Sequence, residues 1–396
     1  MKLLYISTFL FLKDDEKTYA LPSCADMFFQ KYLDVFDGVT VLGEPVKSYL
    51  DKTALIPIQD NRIDVHILKP NTSPKDFIND REVRIGLDRW IKKSDAILIK
   101  PASRRGLMAI KLAKKYNKPY MIEMTGDIHN ALRQHPNVLK RCYSPLLYRK
   151  ICNAIYDCKF GLYVSKEYLQ HEFPINGLMC GCSDVVLEQS DESILNARYD
   201  RIEKRNSTDL IKLALIGFYQ GKMKGVDTAI RALGFLDSRY HLYILGNGTE
   251  DSRNKWYQYG KEKSVEKERI HFPKPLSSSK EVLHWLDGMD AFVFPTRSEG
   301  FGRCVAEAMS RGCPCFATNI CTMPELLPEE CLFPLDDSQR LAEMLKSCFA
   351  NKNEEKQLAK KNFYHSMDYD YDVLRQRRNE FLTQFKQYCS ENNEQR

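Results

Sequence analysis

The sequence predicts an α/β fold made of two doubly wound, Rossmann-like domains that face each other across a cleft. The chain has 396 residues, which is more than one ordinary hydrophobic core accommodates. Short apolar runs alternate with amphipathic segments in both halves, and these runs are continuous, as in strands buried on both faces of a parallel sheet. The composition, 43% hydrophobic and 28% charged, is globular and excludes collagen, coiled coils and bulk disorder.

The first half of the chain is predicted to contain six strands and three helices. The strands are Lys2–Ser7, Gly38–Leu42, Asp64–Leu68, Ala96–Lys100, Tyr120–Met124 and Phe160–Ser165. The helices are Cys24–Phe36, Arg104–Tyr116 and Asn137–Tyr156. The apolar start of the chain has no basic region and no small-residue cleavage site, so we interpret it as a strand rather than a signal peptide.

The second half repeats this pattern with five strands and four helices. The strands are Leu210–Gly217, His241–Gly246, Arg269–Phe272, Ala291–Pro295 and Pro314–Thr318. The helices are Val226–Leu236, Ser279–Leu286, Cys304–Arg311 and Gln339–Phe349.

A polar, charged stretch from Glu188 to Asp209 separates the two patterns and predicts the domain boundary. We therefore expect an N-terminal domain over residues 1–190, a linker over 191–208 and a C-terminal domain over 209–362. Residues 363–396 are predicted to form a C-terminal helix that ends in a polar tail.

The cysteines, the apolar runs and the charge indicate where the protein is located and what it binds. Thirteen cysteines are scattered along a chain without an export signal, which indicates reduced thiols in the cytoplasm rather than a disulfide framework. No apolar run approaches the ~20 residues that a membrane-spanning helix needs. The net charge of +6 is uneven, because residues 1–150 hold 26 Lys and Arg against 17 Asp and Glu.

This basic surplus includes four adjacent pairs: Arg104-Arg105, Lys114-Lys115, Lys140-Arg141 and Arg149-Lys150. It has three interpretations, which are docking on an anionic membrane surface, binding of an anionic substrate, and an ordinary solvated face. Nucleic acid is not expected as a partner, because no nucleic-acid-binding motif accompanies the charge.

The segment from Asp290 to Pro314 carries the clearest chemical signal. A predicted strand leads through the loop Glu299-Gly300-Phe301-Gly302 into a predicted helix. The two glycines let backbone N–H groups approach a ligand, and the helix start behind them offers unpaired donors that suit a phosphate. Glu299 in the loop and Glu307 in the helix place two carboxylates over one ligand, where they can accept hydrogen bonds from sugar hydroxyls.

This segment resembles the signature of the retaining GT-B glycosyltransferases of the group 1 family (family four), of the bacterial surface-polysaccharide type. Leu215–Gly217 with Lys224–Asp227, Ile244–Gly248 and Met323–Leu326 resemble further motifs of that family. The resemblance covers nearly all of the second half. In the first half it rests on the β/α rhythm and on the loop within Tyr120–Leu132. It also implies that the C-terminal helix crosses back to the first domain.

The resemblance implies a role for each residue that matches its motifs. Glu299 would bind hydroxyls of the donor sugar, Glu307 would bind the ribose hydroxyls, and Lys224 would neutralise the diphosphate. The remaining residues of the implied donor site are Gly217, Gly246, Gly300, Phe301 and Gly302. Family members usually have Arg where this chain has Phe218, and Lys222 and Arg303 are the candidates to replace that charge.

Two residues of the first half are further candidates. Asp127 and His129 follow the predicted strand Tyr120–Met124, where family members often have His-Asp. The resemblance implies that they hydrogen-bond to the sugar near its reacting carbon. The alternative is that Asp127 caps the helix that follows.

We therefore expect a nucleotide-sugar-dependent, retaining glycosyltransferase that acts on a glycan or lipid-linked glycan acceptor in surface-polysaccharide biosynthesis (capsule, O-antigen or exopolysaccharide). It is expected to lie in the cytoplasm, at the inner face of the membrane if the basic surplus docks there. No cofactor is expected, and no metal, because no Asp-x-Asp motif is visible. Two alternatives stay open: a nucleotide-sugar epimerase, which should lack the spacing of Glu299 and Glu307, and a non-catalytic nucleotide-sugar-binding protein, which Phe218 would favour.

Overall fold

The computed structural model describes residues 1–14, 17–47, 52–71, 74–187, 191–276 and 278–394. The chain forms two compact units from discontinuous segments. Unit 1 comprises Met1–Ile128, Cys142–Cys182 and Arg375–Arg396, and unit 2 comprises His129–Arg141 and Ser183–Leu374. None of the described helices combines the length and the apolar character that crossing a bilayer requires.

Strands and α-helices alternate along the described residues. The strands are β1 (Lys2–Lys13), β2 (Thr18–Ala20), β3 (Gly38–Pro45), β4 (Ile56–Pro57), β5 (Ile63–Ile67), β6 (Ala96–Ile99), β7 (Tyr120–Met124), β8 (Phe160–Tyr163), β9 (Leu178–Gly181), β10 (Ile211–Ile216), β11 (Tyr240–Leu245), β12 (Ile270–His271), β13 (Ala291–Phe294), β14 (Cys315–Thr318) and β15 (Leu332–Phe333). The helices are α1 (Asp26–Leu33), α2 (Asp80–Lys93), α3 (Arg104–Lys115), α4 (Ile128–Arg133), α5 (Val138–Ile155), α6 (Tyr168–Glu172), α7 (Glu192–Lys204), α8 (Val226–Leu233), α9 (Glu250–Glu262), α10 (Ser279–Asp287), α11 (Arg303–Ser310), α12 (Met323–Leu326), α13 (Ser338–Ala350), α14 (Lys352–Ser366) and α15 (Tyr371–Glu394).

The sheet of unit 1 is built around β1, which lies between β3 and β6 and is parallel to both. On one side β3 pairs with β5, and on the other side β6, β7, β8 and β9 follow in order, all parallel. The short strands β2 and β4 extend the far end of β1 in antiparallel pairing. All four residues of β6 are fully buried, which is the pattern of a parallel strand covered on both faces.

The sheet of unit 2 has six parallel strands in the order β12-β11-β10-β13-β14-β15. Its core contains Leu213 and Leu215 of β10, Ile244 of β11 and the apolar face of α8. Because β10 lies between β11 and β13, the chain order reverses at the centre of this sheet. The predicted α/β class with two Rossmann-like halves is therefore confirmed.

Each predicted strand and helix is present, with bounds that differ by a few residues. The largest differences are in the C-terminal helix, which begins at Tyr371 rather than at residue 363, and in β1, which continues to Lys13 because its end pairs with β2. The strands that the sequence did not predict are two to four residues long and include β2, β4, β9 and β15. Three of the longer helices that were missed, α2, α9 and α14, are rich in charged residues and have few apolar ones.

The prediction of a linker over residues 191–208 is wrong, because helix α7 occupies most of this range. Leu195 and Ile202 of this helix pack against Ala359 and Phe363 of α14. Between them the buried Arg198 donates hydrogen bonds to the carbonyls of Leu286, Met289 and Arg311. The segment is therefore part of unit 2, and residues 188–190 at the start of the predicted boundary lie outside the described residues.

The first of the four basic pairs is not a free positive surface. The Arg105 side chain is completely buried, and its guanidinium donates to the carbonyls of Ser7, Gly43 and Lys69 at 3.1, 2.8 and 2.9 Å. Burial lowers the pKa of Arg105, and the carboxylate of Glu44 at 3.3 Å opposes this shift. Arg104 is paired with Asp80. Arg105 is therefore part of the interior of unit 1, and the charge of Arg104 is balanced by Asp80.

Helix α5 carries two of the other three basic pairs, Lys140-Arg141 and Arg149-Lys150, while the exposed Lys114-Lys115 ends α3. Residues 128–156 contain no Asp or Glu, and α5 lies within this stretch. Its exposed apolar residues are Val138 (56%), Leu139 (78%), Tyr143 (45%) and Leu146 (51%). We call these side chains, together with the exposed Lys140, Arg141, Arg149 and Lys150, the α5 surface. Cys142, the one exposed thiol among the thirteen free cysteines, lies within it.

Candidate functional site

The candidate site lies at the carboxyl end of β10 and β13, where the strand order of unit 2 reverses. Ligands of doubly wound sheets bind at such a reversal. The loops after β10, β11 and β13 meet so closely here that two glycines are required. A Cβ at Gly246 would lie 2.2 Å from the carbonyl oxygen of Gly217. Gly225 has φ of +69°, and a Cβ there would lie 1.8 Å from the carbonyl oxygen of Pro295.

Two buried threonine hydroxyl groups fix the backbone of the loop from Pro295 to Gly302 by hydrogen bonds. The Oγ1 of Thr318 donates to the carbonyl of Thr296 at 2.5 Å, and the Oγ1 of Thr322 donates to the carbonyl of Phe301 at 2.8 Å. Phe301 is itself buried, and its ring packs edge-on against Tyr369 with centroids 5.1 Å apart. The loop backbone is thus fixed before any ligand arrives.

Arg297 fixes the same loop from the side. Its guanidinium makes a bidentate pair with the buried Asp227 of α8, at 2.9 and 3.0 Å, and also pairs with Asp336. Its backbone N–H donates to the carbonyl of Met223 at 2.8 Å. These contacts tie the loop after β13 to the loop that carries Lys224.

Lys224 and Glu299 are brought together by this arrangement. The Nζ atom of Lys224 lies 2.5 Å from Oε2 of Glu299, and both side chains keep part of their surface exposed, 25% and 19%. The ammonium also lies over the ring of Phe294 at 5.1 Å from its centroid. The N–H of Gly300 donates to the other oxygen of Glu299 at 3.2 Å. The site therefore presents an ammonium and a carboxylate side by side, both accessible to a ligand.

Glu307 lies in the helix that follows this loop. Its side chain is partly buried, and its carboxylate has no hydrogen bond or ion pair with any residue in the described ranges. Burial raises the pKa of Glu307 to about 7, against the opposing charge of Arg303. A partly buried carboxylate without a hydrogen-bond donor beside it is costly to keep ionised, so this group is prepared to accept hydrogen bonds from a ligand.

The start of α11 completes the site. Gly302, with φ of +95°, is the N-cap residue, and Arg303, at the first helical position, is exposed. The backbone donors of this helix start face the loop end and favour negative charge. Lys222 is also exposed, and its ammonium lies 3.9 Å from Asp227. Phe218 stands 52% exposed just beyond β10.

The two candidates from the first half fall in different units. Asp127 belongs to unit 1, is buried, and accepts a hydrogen bond from the hydroxyl of Tyr168 at 2.6 Å. His129 belongs to unit 2. Its neighbour Asn130 donates from Nδ2 to the carbonyl of Arg297 at 3.0 Å. The sugar-binding role of Asp127 and His129 stays a prediction.

The sequence analysis missed Arg297, Asp227 and Asn130 as residues that shape the site. Arg297 could have been noticed in the sequence, because it lies two residues before Glu299 within the segment Asp290 to Pro314. Its partner Asp227 is 70 residues away in the chain, so no local pattern marks the pair. Among the described residues, no group of three or more His, Cys, Asp or Glu side chains is arranged to hold a metal ion.

Part of the chain matches a known protein family. Residues 211–351 match the family model described as glycosyl transferases group 1. This range contains the residues of the site in unit 2 described above, apart from His129, Asn130 and Tyr369. These residues form a group 1 glycosyl transferase domain. The whole chain is 26% identical over 395 residues to protein CapJ of Staphylococcus aureus, covering 99% of this chain and 97% of CapJ.

Two further similarities extend the comparison. The chain is 30% identical over 133 residues to the O-antigen biosynthesis glycosyltransferase WclY of Escherichia coli, which is 33% of this chain and 35% of WclY. The fold resembles that of Anabaena Alr3699/HepE, solved in complex with UDP, with a TM-score of 0.68 at 14% identity over 97% of this chain and 100% of that one. The fold is thus of the GT-B type, as predicted, and residues 211–351 form a group 1 glycosyl transferase domain within it.

Proposed function

We propose that this protein is a glycosyltransferase that moves a sugar from a nucleotide-sugar donor to a growing glycan in surface-polysaccharide biosynthesis, with retention of the anomeric configuration. The observation that carries the donor site is the unpartnered carboxylate of Glu307 beside the loop that holds Lys224 and Glu299. The name of WclY, an O-antigen glycosyltransferase, supports the polysaccharide context. The UDP bound to HepE supports a nucleotide-linked donor.

In this arrangement each charged group of the site binds a different part of the nucleotide-sugar donor. The ammonium of Lys224 and the start of α11 are positive and meet the diphosphate, whose negative charge grows as the bond to the sugar breaks. The carboxylate of Glu299 lies beside that ammonium, as the sugar lies beside the diphosphate in the donor, and accepts bonds from the sugar hydroxyls. Glu307 accepts bonds from the ribose hydroxyls.

The reaction then requires no second catalytic carboxylate. The acceptor attacks on the face from which the phosphate leaves, and a phosphate oxygen takes the acceptor proton. Asp127 and His129 would hydrogen-bond to the sugar near its reacting carbon. No metal and no cofactor takes part in this scheme. Proton NMR of the first product formed tests retention, because an inverted anomeric coupling would contradict it.

We place the enzyme in the cytoplasm, at the inner face of the membrane, with a lipid-linked glycan as acceptor. The α5 surface supports this placement, because it combines exposed Leu139 and Leu146 with four cations and no acidic residue. Such a surface combines apolar insertion with attraction to anionic lipid. This surface replaces the pair Arg104-Arg105 as the expected docking site.

The experiment that tests the function measures turnover. UDP-, GDP- and ADP-sugars are first screened for a rise in melting temperature, since a ligand specific to the native state stabilises it by mass action. Release of the nucleoside diphosphate and transfer to a glycan acceptor are then measured for the donor that binds. Wild-type enzyme should turn over and Glu299→Ala should not. Binding without any turnover would favour the non-catalytic alternative, and interconversion of the donor sugar would favour the epimerase.

A further inference from the structure

Unit 1 has a reversal of strand order of its own, at the carboxyl ends of β1 and β6. From β1 the chain passes to β3 on one side, while β6, on the other side of β1, leads on to β7. In unit 2 the corresponding position holds the candidate donor site. A ligand of unit 1 is therefore expected near the side chains just beyond the paired segments of β1 and β6, which end at Ile6 and Ile99.

An aromatic and cationic cluster occupies this position. Phe9 of β1 and Phe28 of α1 are half-buried, and their rings meet edge-on with centroids 5.0 Å apart. The ammonium of Lys100, directly after β6, lies 4.5 Å from the centroid of Phe9 and 5.5 Å from that of Phe28. The ammonium of Lys31 in α1 lies 4.1 Å from the centroid of Phe28.

A buried carboxylate lies beneath the two lysines. Glu123, near the end of β7, is buried and accepts hydrogen bonds from the hydroxyls of Tyr5 at 2.6 Å and Tyr32 at 2.5 Å. Its distances to Lys31 and Lys100 are longer, 3.4 and 3.5 Å. Burial alone would raise the pKa of Glu123, but the two ammonium charges and the two hydroxyls hold it well below its usual range. The cluster therefore carries two cations and one anion, an excess of one positive charge.

The cluster is also rigid. The register between β1 and β3 shifts between Ile6 and Leu10, so the chain bulges where Phe9 stands. Arg105 holds this bulge by donating to the carbonyls of Ser7 and Gly43, and the N–H of Phe9 donates to the Oγ of Ser7 at 3.2 Å. A rigid platform of rings with a charge above it loses little entropy when a ligand binds.

We propose that this cluster binds a sugar ring that bears an anionic group, and that it recognises the acceptor of the proposed reaction, on which the proposal rests. The half-buried rings of Phe9 and Phe28 pack against the apolar face of the sugar. The contact of Lys100 to Glu123 is too long for a strong hydrogen bond, so the N–H groups of the Lys100 ammonium donate to the anionic group of the sugar. A glycosyl phosphate and a uronic acid share this chemistry.

The experiment titrates glucose 1-phosphate, glucuronic acid and neutral glucose into the full chain and measures affinity by NMR. We expect at least one anionic sugar to bind about tenfold or more tightly than glucose, because a charge-assisted contact is gained. Lys100→Met should remove that difference. Lys92→Met is the matched control, since Lys92 also pairs with a carboxylate (Asp88) and lies over a ring (Tyr116, 4.8 Å), but away from the cluster.

The pattern of results identifies the anion and the site. Preference for glucose 1-phosphate indicates a phosphate-linked acceptor, and preference for glucuronic acid indicates an acidic glycan. Equal affinity for all three sugars overturns the proposal. So does a preference that survives Lys100→Met, or one that Lys224→Ala removes, since the anion then binds in unit 2.

Separate measurements distinguish a folding defect of a variant, and a failure of the proposed function, from a failure of this proposal. Urea unfolding checks each variant, and if Lys100→Met does not fold, Phe28→Ala takes its place, because it leaves every charge unchanged. It should weaken binding of the preferred sugar, whereas Phe77→Ala, at a ring exposed elsewhere on unit 1, should not. Failure of the proposed function would be seen as absent turnover with a nucleotide-sugar, which these titrations do not require.

Discussion

Protonation of Glu307 should weaken nucleotide-sugar binding as the pH falls. Burial holds the pKa of this carboxyl at about 7, and only its ionised form accepts hydrogen bonds with both oxygens. At pH 8 about nine-tenths of it is ionised, and at pH 6 about one-tenth, so affinity should fall about tenfold over this range. The diphosphate of a nucleotide-sugar has no proton to exchange between these values, so the ligand adds no change of its own.

The assay is titration calorimetry of a nucleotide-sugar at pH 6, 7 and 8. Glu307→Gln should bind weakly at every pH, and the slope should vanish. Glu343→Gln, at an exposed position of α13, is the matched control and should keep the slope of the wild type. An affinity independent of pH in the wild type, or an unchanged slope in Glu307→Gln, would refute the assignment of Glu307 to the donor site.

The same group affects stability in the absence of ligand, with a defined sign. Because its pKa is raised in the folded state, the stabilising contribution of Glu307 is present below its unfolded pKa, ~4.3, and is lost as the pH rises through about 7. Urea unfolding of the wild type and of Glu307→Gln should therefore differ in pH dependence between these limits.

Three more outcomes follow from the structure. Lys224→Ala should lower turnover about a hundredfold or more, because it removes the cation that meets the growing negative charge of the diphosphate. Lys222→Ala is the comparison at the exposed lysine nearby, and similar damage with a non-additive double mutant would show that Lys222 replaces the missing arginine. Arg105→Met should lower the free energy of unfolding by about 3–5 kcal/mol, since Glu44 stays buried without its cation, whereas a loss below ~1 kcal/mol would contradict this. Pelleting with anionic vesicles should fall with added salt and with Lys140→Glu, because attraction to the surface is screened beyond ~10 Å at 0.1 M; binding that ignores both would reject electrostatic docking by the α5 surface.

The sequence predicted the parts of the fold that rest on local patterns. Strands such as β6 and β13 are continuous apolar runs, and Glu299 and Glu307 lie within one short segment whose spacing is itself informative. In α7 the same local view failed, because a polar composition suggested a linker while Leu195 and Ile202 supply the buried face. The third buried residue, Arg198, is charged, and its role depends on three carbonyls far away in the chain.

Long-range partners decided the other differences. Arg105 resembles a surface cation in the sequence, and only the packing of β1 and β3 around it shows that it is buried. Arg297 and Asp227 form their pair across 70 residues, so neither could be assigned from its neighbours. The sequence thus located the loop of the site, while the contacts that hold the loop in place required the three-dimensional structure.

The exposed thiol of Cys142 makes the α5 surface directly measurable without mutation. Exposed thiols react with maleimides faster than buried ones, and Cys142 is the exposed member of the thirteen. A brief reaction at low stoichiometry would therefore attach one environment-sensitive fluorophore between Leu139 and Leu146. A blue shift of its emission on vesicles would report the depth of this helix in the interface during turnover, in real time and on the native sequence.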